Sequence, residues 1–67
     1  MDKKKLGHKI KLARLEAELT QTELAFKIKA KQKSISGYET GTVEPSVSTL
    51  DRIAKAVQKP IGEFFEG

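Results

Sequence analysis

Apolar residues recur near the start of the chain at Leu6, Ile10, Ala13 and Ala17, at intervals of four, three and four. This is the stripe of an amphipathic helix, and it predicts one over about 3–17. In the following LTQTEL, Thr20 and Glu23 match the S/T-x-x-E capping box, with Leu19 and Leu24 as the hydrophobic staple. A second helix therefore starts at Gln21, and Leu24, Ala25 and Ile28 keep its period to about residue 28. Lys29 and Ala30 leave room for a very short turn before KQKSISGYET, a third helix over about 31–40 that Gly41 ends. TVEPS reads as a loop, with Pro45 holding Glu44 extended and Ser46 available as the next N-cap. Val47, Leu50, Ile53, Ala54 and Val57 mark a fourth helix. Pro60 stops or restarts the chain, and Ile61, Phe64 and Phe65 predict a last turn or short helix that lays two aromatic rings on the core. No alternating strand pattern, repeat or low-complexity linker interrupts this series. The expected fold is an all-α bundle of about five helices, with residues 1–67 as a single domain.

The third helix has an unusual composition. Ser34, Ser36 and Gly37 are mediocre or poor helix formers, and a glycine inside a helix costs about 0.5–1 kcal/mol relative to alanine. With Ile35 pointing inward and about 100° per residue, Tyr38 and Glu39 fall within about 60° of it. Lys33, Ser36, Gly37 and Thr40 fall about 100° or more away, so the small and polar residues form the outer face. A helix over 21–28, a short turn and a helix over 31–40 make a helix-turn-helix, whose second helix can enter the DNA major groove. Gln32 and Lys33 occupy its first turn, where a groove-reading helix carries its base-contacting side chains.

Charge points the same way. The chain has 67 residues, a formal net charge of +4 and a pI near 9.5, which favours an anionic partner. Lys27, Lys29, Lys31 and Lys33 cluster, and no acid lies between Glu23 and Glu39. Charge alone leaves a solvated face, nucleic acid and anionic membrane open. A chain this short has little room for an extensive cleft. With no cysteine and a lone His8, disulfides and thiolate zinc sites are excluded, and no cofactor or metal is expected. Ser34 and Ser36 have no partner histidine, and the carboxylates form no acid–base pair, so no enzymatic activity is expected. No apolar run approaches the about 20 residues that span a bilayer, and a cytoplasmic location is expected.

LTQTELAFKI, SISGYETG and EPSVSTLDRIAKAV, in that order and spacing, resemble the lambda-repressor-like, or Cro-type, helix-turn-helix family over nearly the whole length. The resemblance implies a transcriptional regulator that binds double-stranded DNA as a two-fold dimer on a palindromic operator. It implies a base contact from Gln32 and a phosphate contact from Gln21; from their own chemistry and place, Lys33, Ser36 and Gly37 are expected to meet base edges, and Lys31, Thr40 and Thr42 phosphates. Gln21 would also brace Gln32, and Arg14 would pair with Glu39 to hold the first helix against the third. The end of the fourth helix, with Pro60, Ile61 and Phe64, would supply the dimer surface, and EFFEG sits where members often continue into a linker.

Three features depart from that family. Lys29 stands where glycine is usual, which implies a left-handed residue or a different turn. Lys31 replaces the usual Ser or Thr cap, and Glu44 puts a carboxylate where relatives approach phosphate. Leu12 and Leu15 project opposite to Ile10 on the first helix. They suggest a second reading, an antitoxin-type or other regulator whose main role is to hold a partner protein.

Overall fold

The computed structural model describes residues 2–65. The described residues form α1 (Lys3–Glu16), α2 (Gln21–Lys27), α3 (Gln32–Thr40), α4 (Val47–Ala56) and a closing 3-10 turn (Ile61–Phe64), with no strand among them. The all-α expectation holds, with the fifth helix reduced to this single turn after Pro60. None of the described helices is long and apolar enough to cross a membrane.

Three helices start on side-chain caps. Asp2 accepts from the Lys4 and Lys5 N–H groups, and Ser46 accepts from Thr49 N–H. Thr20 and Glu23 close the reciprocal box foreseen for α2. α3 is the exception. Lys31 is its N-cap, one residue outside the helix, and makes no side-chain cap bond.

All four helices end on a left-handed residue. Gly41 (φ 79°) closes α3, whereas Glu18, Lys29 and Gln58, at φ 60°, 58° and 60°, close the others without glycine. Each stop is a Schellman-type pair. After α2, for example, Lys29 N–H donates to the Phe26 carbonyl and Ala30 N–H to the Ala25 carbonyl. Lys29 thus keeps the left-handed turn that glycine would make, at a steric cost of about 1–2 kcal/mol.

Ile10, Leu24, Ile35, Leu50 and Ile53 are the largest fully buried side chains, so every α-helix contributes to one core. Burying each of these side chains is worth about 1.5–3 kcal/mol. Two apolar positions depart from expectation. Val47 is 67% exposed because it opens α4 at the molecular surface, a turn before the Leu50–Ile53–Ala54 stripe. Phe64 is buried, but Phe65 is 46% exposed, since the tight 3-10 turn brings only one ring onto the core.

α1 packs chiefly on α3, at a close crossing that Gly7 permits. A Cβ on Gly7 would lie 2.4 Å from the Tyr38 carbonyl oxygen and 2.6 Å from that of Glu39. The crossing sets the pose of α3 relative to the rest of the protein.

Candidate nucleic-acid interface

The interface is held from inside by a chain of polar side chains. Arg14, 7% exposed, reaches from α1 to the end of α3, where its Nε and Nη2 donate to Glu39 Oε2 and Oε1 at 2.6 and 3.2 Å. Its Nη1 donates to the Leu19 carbonyl at 2.7 Å, so the guanidinium also ties down the segment between α1 and α2. The paired side chains are 9% and 4% exposed. Removing one partner of such a buried pair strands the other charge.

Glu39 Oε1 also accepts from Gln21 Nε2 at 3.0 Å, and Gln21 Oε1 accepts from Gln32 Nε2 at 2.6 Å. A carboxylate that is ionised accepts and does not donate, so it draws the NH2 end of Gln21 toward itself. The oxygen of Gln21 then faces Gln32 and draws in the NH2 end of that side chain. Gln32, exposed in the first turn of α3, keeps Oε1 and a second N–H outside this bond. A glutamine amide offers the acceptor and donor that complement the N6–H donor and N7 acceptor of adenine.

Around the outer face of α3, Lys31, Lys33, Ser34, Ser36, Gly37, Tyr38, Thr40, Thr42 and Val43 line a shallow concavity of about 450 Å³. The structure therefore brings together six of the eight residues assigned by sequence to DNA contact, while Gln21 and Gln32 sit apart in the polar chain. Lys27, Lys29, Lys31 and Lys33 are all exposed. Glu39 does not oppose them at the surface, because Arg14 neutralises it in the interior.

The end of α3 is tied back on itself. Thr40 Oγ1 lies 2.9 Å from Thr42 Oγ1 and donates toward the Gly37 carbonyl at 3.3 Å. The backbone N–H groups of Gly41 and Thr42 close the helix on the Tyr38 and Gly37 carbonyls, so Thr40 and Thr42 offer an anion their hydroxyls and not these amides.

Sequence reading missed Gly7 and Arg52. Gly7 follows the inward Leu6, and its one local mark is that an isolated glycine in a helical pattern costs about 1 kcal/mol against alanine. Arg52 of α4 donates to the Ile28 carbonyl at the end of α2 and fixes the turn before α3; nothing in the local pattern marks it. Phe26 on α2 was assigned no place by the pattern and is 84% exposed. Among the described residues, no group of three His, Cys, Asp or Glu is placed to hold a metal ion.

A model of the helix-turn-helix family matches residues 10–64. The chain is 44% identical over 54 residues to the ImmF control region 10 kDa protein of Bacillus phage phi105, covering 81% of this chain and 60% of that protein. It is 42% identical over 48 residues to vegetative-specific protein H7 of Dictyostelium discoideum, covering 72% of this chain and 46% of that one. The chain thus spans about half of the length of these curated relatives. Among solved structures, the clp gene regulator ClgR from Corynebacterium glutamicum superposes with a TM-score of 0.92 at 22% identity, over 97% of this chain and 69% of that one, a likeness of fold. PlcR of Bacillus thuringiensis, solved in complex with the peptide PapR7 and DNA, superposes at 0.86 with 41% identity, over 94% of this chain and 22% of that one. The match of 10–64, with α2 and α3 set as the motif requires, means that the chain belongs to the helix-turn-helix family of DNA-binding transcription regulators, in its lambda-repressor-like form.

Proposed function

We propose that this chain binds double-stranded DNA sequence-specifically, with α3 in the major groove, and regulates transcription without catalysis. The carrying observation is the Glu39–Gln21–Gln32 chain, which braces the exposed Gln32 amide in the first turn of α3. Gln32 and Lys33 contact base edges, with adenine and guanine as their respective chemical complements, and Ser36 and Gly37 form the close-approach surface behind them. Gln21, through its remaining N–H, and Lys31, Thr40 and Thr42 contact phosphates, which fix register without carrying sequence information. One helix this short gives weak specificity, so the active form is a homodimer on a palindromic operator, with half-sites about one helical turn apart.

Selection from a random duplex library, with the enriched duplex then bound at several salt concentrations, tests the proposal. A palindromic motif that outcompetes scrambled DNA supports it. Equal affinity for all duplexes, with a steep salt dependence, is the behaviour of a sequence-blind binder and contradicts it.

A second reading rests on Leu12 and Leu15, which are 47% and 51% exposed on α1. In it, this face holds a partner protein and DNA binding is subsidiary. Leu12→Ser with Leu15→Ser would then abolish partner capture and leave affinity for DNA unchanged. A protein that captures the same partner after both substitutions contradicts this second reading.

A further inference from the structure

Val43 is an apolar side chain set among polar and cationic ones. It is 50% exposed and lines the same concavity as Lys33, Ser36 and Thr40. Its position follows from Gly37, at the middle of the outer face of α3. A Cβ on Gly37 would lie 3.3 Å from Val43 Cγ2, so the valine occupies the space beside the glycine. The loop is fixed there, because the N–H groups of Thr42 and Val43 both donate to the Gly37 carbonyl, at 3.0 and 3.2 Å. The β-branched side chain is stiff about χ1, so little rotamer freedom remains to be lost on contact.

Valine has no hydrogen-bonding group for phosphate or for a polar base edge, and pressing its methyls against either leaves a polar group unpaired. The apolar group that DNA presents in the major groove is the C5-methyl of thymine. We infer that Val43 is a further specificity-determining residue, which reads a thymine methyl through the gap beside Gly37. This rests on the placement of α3 in the major groove. Gln32 and Gly37 lie about 7.5 Å apart along the helix axis, so this thymine belongs to a different base pair from the one Gln32 reads.

The test uses the full chain and its selected duplex, with each thymine replaced in turn by deoxyuridine, which lacks the methyl. At one thymine per half-site the replacement weakens wild-type binding about fourfold, the effect of one buried methyl-sized group. Val43→Ala and Val43→Ser bind the methylated and unmethylated duplexes equally at that position, and keep the wild-type response at all others. Melting curves of both variants establish that they are folded, and each is compared with itself on the two duplexes. Indifference of wild type to every replacement overturns the inference, as does the same fourfold loss in wild type and both variants. An enriched site that depends on Gln32 but contains no thymine besides the one paired with the adenine that Gln32 reads overturns this inference alone. Failure to enrich any motif overturns it together with the reading beneath it.

Discussion

Gln32 Nε2 lies 2.6 Å from Gln21 Oε1, so one amide–amide hydrogen bond joins the two helices of the motif at the outer end of a chain that starts on a buried ion pair. Stability and base reading therefore share parts. Arg14→Ala would leave the Glu39 carboxylate buried and without its cation, a loss of about 3–5 kcal/mol. That is a large share of the stability of so small a domain. Thermal melts followed by circular dichroism should show Arg14→Ala far below wild type, and Lys5→Ala, at an exposed position, close to it. Equal melting temperatures for the two variants would argue against a structural role for the pair.

Gly7→Ala should destabilise the protein although alanine is the better helix former. The added Cβ meets two backbone carbonyls that cannot turn aside, and overpacking of this kind costs about 1–3 kcal/mol. This exceeds the gain in helix propensity of about 0.5–1 kcal/mol. The expected fall in melting temperature is about 4–8 °C per kcal/mol of net loss. A rise would mean that α1 and α3 do not cross this closely.

Lys29→Gly should stabilise. Lysine at φ 58° carries a steric cost of about 1–2 kcal/mol, which glycine removes while giving back part of the gain as unfolded-state entropy. Urea denaturation should place its midpoint above that of wild type, with the slope unchanged. A lower midpoint would show that the lysine side chain contributes more than its backbone costs.

Acid should loosen the helix starts. The Lys4 and Lys5 N–H groups hold Asp2 below its ordinary pKa of 3.8, and the Thr20 backbone N–H, then the Thr20 side chain, hold Glu23 below 4.5. Near pH 4 the folded protein thus binds fewer protons than the unfolded chain. The contribution of these groups is fully present above the ordinary values and is lost as pH falls through the lower, folded ones. Glu23→Gln keeps a side chain able to accept from Thr20 but does not titrate. Urea midpoints measured between pH 6 and pH 2 should fall less steeply for this variant. Parallel curves would contradict the assignment.

What the sequence made legible was what repeats at short range. The stripes of α1 and α4, the Thr20–Glu23 box and the Gly41 stop are local signals, and they placed these elements within a residue or so of the structure. Arg14 and Glu39 were paired by resemblance alone, since no periodicity relates side chains so far apart in sequence. Val47 and Phe65 were misplaced because period marks a face, while depth depends on where the element ends at the surface. Gly7 went unnoticed because its reason, two carbonyls of α3, lies on another helix. The poor helix formers of KQKSISGYET have a structural correlate: Ser36, Gly37 and Thr40 line the outer concavity, and Ile35 alone of α3 is buried in the core.

An affinity profile separates base reading by the braced Gln32 from contact with the phosphate backbone. Wild type and Gln32→Ala would be titrated at fixed salt against the enriched duplex, its three single-base-pair variants at the position of strongest preference, and a scrambled duplex. Gln32→Ala should lose about 1–3 kcal/mol on the enriched duplex, bind the four base pairs at that position nearly alike, and match wild type on scrambled DNA. An equal loss on every duplex, scrambled DNA included, would assign Gln32 to the phosphate backbone and rule out base reading by this side chain.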